Sequence, residues 1–98
     1  MNDFNQIIND SKPTLVDFFA TWCGPCRMQG PILEEVKKRV GDNANIIKVD
    51  IDQNQTVAAQ YNVRSVPTLI LFKAGEPVWR TVGLQQADTL EQKIREHQ

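Results

Sequence analysis

The sequence predicts an α/β fold: a mixed four-stranded sheet between helices, in three layers. Three observations carry this reading. A near-continuous apolar run at 14–20 reads as a strand covered on both faces, 45–51 as a second buried strand and 68–73 as a third strand. Segments of helical period separate them, so the first two strands flank a helix and should run parallel through a right-handed crossover. The third run is followed by the turn signal Ala74-Gly75-Glu76 and a fourth extended segment, which together read as a hairpin. Helices on both faces of a mixed sheet follow from that order.

Each element has its own justification. Phe4, Ile7 and Ile8 stand at i, i+3 and i+4, the spacing of a short amphipathic helix, and Asp10-Ser11-Lys12-Pro13 ends it. Thr-Leu-Val-Asp-Phe-Phe-Ala at 14–20 is the first strand. Met28, Ile32, Leu33, Val36 and Val40 keep helical spacing and are expected to form the inward stripe of a long helix, with Gly41 as its stop. Pro31 lies inside this helix and is expected to kink it, and Gly30 weakens the same turn. Residues 45–51 read as a second buried strand. Val57, Ala58 and Tyr61 suit another short helix. Thr-Leu-Ile-Leu-Phe-Lys at 68–73 is the third strand, and 77–82 is a fourth, at an edge because it begins with Pro77. Ala87, Leu90 and Ile94 mark a closing helix. Trp79 is assigned to packing.

The totals narrow the class of protein. A chain of 98 residues is expected to form a single domain, residues 1–98. With 41% hydrophobic residues, it can bury one core of modest size. A net charge of −1 implies neither nucleic acid nor an anionic membrane as a partner. No apolar stretch approaches the roughly 20 residues of a membrane-spanning helix. Residues 1–13 lack the basic-then-apolar layout of a secretory signal, so a cytoplasmic location is expected.

Both cysteines lie in Trp22-Cys23-Gly24-Pro25-Cys26, where the first strand gives way to the long helix. Two thiols at this spacing can close and reopen a disulfide within one helical turn. A helix N-terminus presents unpaired N–H groups and partial positive charge, which favour a thiolate at Cys23, and Arg27 adds a cation. Cys26 sits one turn in and is expected to be more buried. Cys23 is therefore the candidate nucleophile and Cys26 the resolving thiol. Gly24 leaves the approach uncrowded, and Pro25 suits the first helical turn. A zinc pair is the competing reading. Zinc takes four ligands, no third cysteine exists, and the one histidine, His97, stands beside the C-terminus, so no metal is expected. Asp50-Ile51-Asp52-Gln53-Asn54 opens like a calcium loop, but Gln55 and Tyr61 occupy the positions of the required glycine and closing acid. Glu34, Glu35, Lys37, Lys38 and Arg39 read as a solvated helix face.

The pentapeptide, preceded by Val16-Asp17-Phe18 and followed by Val66-Pro67-Thr68, resembles the thioredoxin family from about Phe4 to the last helix. The resemblance implies a thioredoxin-like three-layer α/β/α fold. It implies a general protein-disulfide reductase, a disulfide oxidoreductase that carries no bound cofactor and receives electrons from NADPH through a flavin-containing thioredoxin reductase. Its other partners would be proteins with disulfides. A potential near −270 mV is a value belonging to that family.

The resemblance also gives roles to isolated residues. Asp17 is a carboxylate inside an apolar strand, on the same face as Leu15 and Phe19; burial should raise its pKa. The resemblance supports Asp17 as proton acceptor for Cys26, with a paired structural aspartate as the alternative. Lys48, in the adjacent parallel strand, is the candidate counter-charge; an ordinary solvated lysine is the equal alternative. The resemblance implies a cis Val66–Pro67 bond facing the cysteines, which leaves the Val66 backbone free to pair with an extended substrate. Gly83 either completes this groove or is a plain turn glycine. Trp22 is expected to cap the site and offer partners an apolar surface.

Some features depart from the family pattern. The resemblance implies a further N-terminal strand that this chain begins too late to supply at ordinary length. Strand 45–51 is then an edge, expected to be partly covered by the N-terminus or to mediate weak self-association of the monomer. Phe19 stands where many relatives carry a second Trp. Gln29 and Gly30 replace more usual apolar and small residues. Two other functions stay open: a binding scaffold without turnover, and an oxidase or isomerase working in the reverse direction. The intact cysteine pair speaks against the first and Gly24-Pro25 against the second.

Overall fold

A computed structural model describes residues 3–98. The elements run α1 (Phe4–Ile8), β1 (Thr14–Phe19), α2 (Gly24–Val40), β2 (Asn45–Asp50), α3 (Gln55–Gln60), β3 (Thr68–Lys73), β4 (Glu76–Val82) and α4 (Ala87–Glu96), with a single 3₁₀ turn at Gly41–Asn43. The sheet order is β2-β1-β3-β4. β1 and β2 are parallel, whereas β3 runs antiparallel to both β1 and β4. This is the mixed sheet expected from the sequence, with two central strands buried almost throughout and two edges.

Strand alternation divides the core in two. Val16, Phe18, Ile70 and Phe72 face α1 and α3, where Phe4, Ile8, Val57 and Ala58 meet them. The rings of Phe4 and Phe72 stand edge to face at 5.8 Å. Leu15, Leu69 and Leu71 face α2 and α4, meeting Leu33, Val36, Val40, Leu90 and Ile94. Trp79 packs against this second cluster, as assigned.

Two expectations about burial are corrected. Met28 is 61% exposed, so it is no part of the inward stripe of α2. The stripe runs through Cys26, Gln29, Leu33, Val36 and Val40, and a helix has 3.6 residues per turn, which points position 28 away from the sheet. The β2 strand is not buried on both faces: only Val49 is buried there, because an edge strand has one flank open.

α2 ends where Gly41 takes φ 54° and ψ −130°, a conformation that a side chain disfavours. Pro31 sits within α2, and the helix continues through it to Val40. At this same end of the sheet, the Gly75 and Ala74 N–H groups donate to the Ile8 and Asp10 carbonyls, tying the β3–β4 turn to the segment after α1. The Asn45 N–H donates to the Pro13 carbonyl at 2.9 Å. That contact reaches only the start of β2. The described N-terminal residues otherwise turn into α1, so the expected cover of the edge is not formed by them; residues 1 and 2 lie outside the described residues. No helix among the described residues is long and apolar enough to cross a membrane.

Candidate active site

β1 delivers the chain to the top of the sheet, and α2 leaves from there. Cys23 is the residue immediately before α2, in extended conformation, and Pro25 occupies its first turn. Cys23 and Cys26 are joined as a disulfide with Cα atoms 5.3 Å apart. The Cys26 N–H, one of the orphan donors of a helix start, donates to Cys23 Sγ at 3.2 Å. An N–H aimed at this sulfur favours its anion when the disulfide opens. Exposure does not distinguish the two cysteines: Cys23 is 5% and Cys26 3% exposed, so the expected difference in burial is slight. The difference lies in the surroundings. Gly24 and Pro25 are exposed, whereas Cys26 lines an open cleft of about 210 Å³ together with Phe19, Ala20, Thr21, Arg27 and Lys48. Arg27 turns its guanidinium to the Thr21 carbonyl at 3.0 Å.

Asp17 is fully buried on the α2 face of the sheet, and neither carboxylate oxygen has a hydrogen-bond partner among the described residues. Burial pushes its pKa up to about 6, while the positive charge of Lys48 pulls it down. The parallel register sets Lys48 directly opposite Asp17. Lys48 is nonetheless exposed, with its ammonium 4.7 Å from the centre of the Phe19 ring. Lys48 is thus exposed to solvent and stands opposite Asp17 in the register.

On the opposite side, the Val66–Pro67 bond is cis, as the resemblance implied. The Val66 carbonyl oxygen lies 3.7 Å from Cys23 Sγ. Gly83 follows β4 at φ 95°, and its N–H donates to the Pro67 carbonyl at 2.8 Å. Val66, Pro67 and Gly83 therefore stand together beside the cysteines. Trp22 is 66% exposed at the rim, and its indole N–H donates to Asp52 at 3.0 Å.

Two side chains near the site have partners that the sequence reading does not give. Asp52 was weighed only as a calcium ligand; among the described residues no group of acids, histidines or cysteines could hold a metal. Gln29 was noted as a departure, yet its side chain is fully buried and bonded to the backbone of Gln85. A signal existed: position 29 falls on the inward stripe between Cys26 and Leu33.

Comparison with known proteins agrees with this geometry. The sequence model of the thioredoxin family matches residues 1–96. The chain is 52% identical to a thioredoxin from Staphylococcus saprophyticus over 87 residues, which is 89% of this chain and 84% of the relative. It is 45% identical to a thioredoxin from Alicyclobacillus acidocaldarius over 92 residues, 94% of this chain and 88% of the relative. Among solved structures, a variant thioredoxin from Halobacterium salinarum superposes with a TM-score of 0.90 at 40% identity, covering 99% of this chain and 84% of its own. The thioredoxin of Fasciola hepatica superposes with a TM-score of 0.89 at 37% identity, covering 99% and 93%. With a Cys-x-x-Cys pair at the start of α2 suited to dithiol–disulfide exchange, the chain belongs to the thioredoxin family of disulfide oxidoreductases.

Proposed function

We propose that this chain, acting as a single domain over residues 1–98, is a general reductase of protein disulfides. The observation that carries the reading is the Cys23–Cys26 disulfide at the start of α2, with the Cys26 N–H on Cys23 Sγ. In the reduced protein, the Cys23 thiolate attacks one sulfur of a substrate disulfide, and the other sulfur leaves as a thiolate. The Cys26 thiol then passes its proton toward Asp17 and attacks Cys23 Sγ. The second substrate sulfur departs with the electron pair of the mixed disulfide, and the Cys23–Cys26 bond forms again. Asp17 is a suitable acceptor because its pKa of about 6 lies close to neutral, where a general base works best. Lys48 moderates that pKa.

The substrate lies along Val66, Pro67 and Gly83, with the Val66 backbone pairing with an extended segment and Trp22 covering one side. Gly24 and Pro25 leave the Cys23 sulfur open to approach. The protein holds no cofactor of its own, and thioredoxin reductase restores the dithiol with electrons from NADPH. It works in the cytoplasm, where thiols are kept reduced. The net charge of −1 fits partners other than nucleic acid or membrane. The open flank of β2 supports weak self-association of an otherwise monomeric protein, which sedimentation at rising concentration would detect.

Trapping tests the roles of the two sulfurs. Cys26→Ser should accumulate a covalent mixed disulfide with a substrate protein, and Cys23→Ser should accumulate none. Equal trapping by both variants would refute the assignment.

A further inference from the structure

The position of Gln29 carries a consequence for substrate choice. Its side chain is fully buried three residues after Cys26. A buried amide is costly unless both its groups are bonded. Here both are bonded to the backbone of one residue. Gln29 Nε2 donates to the Gln85 carbonyl at 3.0 Å, and the Gln85 N–H donates to Gln29 Oε1 at 2.9 Å. The side chain thus pairs with Gln85 as a neighbouring strand would. From Gln85 the contacts continue: its Nε2 donates to the Gly83 carbonyl at 3.3 Å, and the Gly83 N–H donates to the Pro67 carbonyl at 2.8 Å. Val66 precedes Pro67, and its carbonyl oxygen faces Cys23 Sγ at 3.7 Å. The disulfide and one turn of α2 complete the circuit back to Gln29.

We propose that Gln29 is a positioning residue that fixes the wall formed by residues 83–85 at the distance from Cys23 suited to an extended polypeptide. This deepens the reductase reading and rests on it. An apolar side chain at position 29 would fill the same space and leave the Gln85 N–H and carbonyl without these partners. The wall would then lose its tie to the helix that carries the cysteines, while the Cys26 N–H contact to Cys23 Sγ and the buried position of Asp17 would be unchanged. A substrate that needs the wall is a polypeptide disulfide. A small disulfide needs only the sulfur.

The test compares the two substrates in Gln29→Met and Gln29→Glu. Insulin serves as the polypeptide and 5,5′-dithiobis(2-nitrobenzoate) as the small disulfide. In Gln29→Met, the KM for insulin should rise about fivefold to tenfold with kcat held, as expected for loss of a hydrogen bond or two that act in binding. The rate with the small disulfide and the redox potential should not change. Gln29→Glu keeps the acceptor for the Gln85 N–H but sets its second oxygen against the Gln85 carbonyl, so its insulin KM should rise as well. An unchanged insulin KM, or equal slowing with both substrates, would overturn the proposal. Amide exchange in the unmodified protein gives a check that needs no variant: the Gln85 N–H should exchange slowly, and rapid exchange there would contradict the clamp. The reductase reading fails separately, if the unmodified protein reduces the small disulfide and leaves insulin intact; the role of Gln29 falls with it.

Discussion

Asp17 holds the clearest physical tension at the residue scale. Its carboxyl titrates near 6 in the fold against 3.8 ordinarily, and burial is the main cause. Folding therefore favours the protonated form. The Asp17 charge takes nothing from stability well below pH 4, and its cost grows as pH rises from about 4 through 6. It levels off at about 3 kcal/mol, since each pKa unit is worth about 1.4 kcal/mol. Asp17→Asn should stabilise the oxidised protein by up to that amount at pH 8 and by much less at pH 4, as measured by urea unfolding at both. An equal gain at both would point away from a buried charge. The proposed role of Asp17 as proton acceptor predicts that the same variant slows disulfide reduction about tenfold or more. Lys48→Met should raise the Asp17 pKa further, read from the carboxyl carbon shift during an NMR titration; a fall would show that Lys48 acts otherwise. Much of this site was legible in the sequence. Cys23, Cys26 and Asp17 stand out because their types clash with an apolar strand and a helix start. Gln29 and Asp52 did not, because their partners, Gln85 and Trp22, lie 56 and 30 positions away in the chain.

Elements were read from period and punctuation, and here the sequence was nearly sufficient. The long helix stops at Val40 because Gly41 follows it with a positive φ. Gly41→Ala should destabilise the protein by about 1–3 kcal/mol, the usual cost of forcing a side chain into such a conformation. Urea midpoints measure it, and no loss would mean that the helix end shifts freely. The misplaced Met28 shows the limit of period alone: two apolar stripes one residue apart look alike until the sheet selects one. The tie between α2 and α4 was also hidden. Arg39, read as part of a solvated face, bonds Glu35, Asp88 and Glu91, and Arg95 reaches both Glu91 and the Arg39 carbonyl. These groups are exposed, apart from the half-buried Glu91, so salt should screen them. Arg39→Ala should lower the urea midpoint in dilute buffer and change it little in 1 M salt. A loss that persists in salt would mean that packing of the arginine stem matters more.

For the whole molecule, the order of elements determined the layers and the resemblance implied that strand 45–51 lies at an edge, while the antiparallel pairing of β1 with β3 emerges only in three dimensions. The sheet sets the cysteine pair, Asp17 and the Val66–Pro67 segment at one end, each from a different stretch of chain. That convergence suits the proposed reductant: a helix start that stabilises an anion, with a buried carboxylate and the Val66 backbone near the sulfurs. The direction of electron flow is the central claim, and equilibration with glutathione at pH 7 measures it most directly. The account expects a potential more reducing than the glutathione pool, below about −260 mV. A value above about −200 mV would mark an oxidant and contradict it.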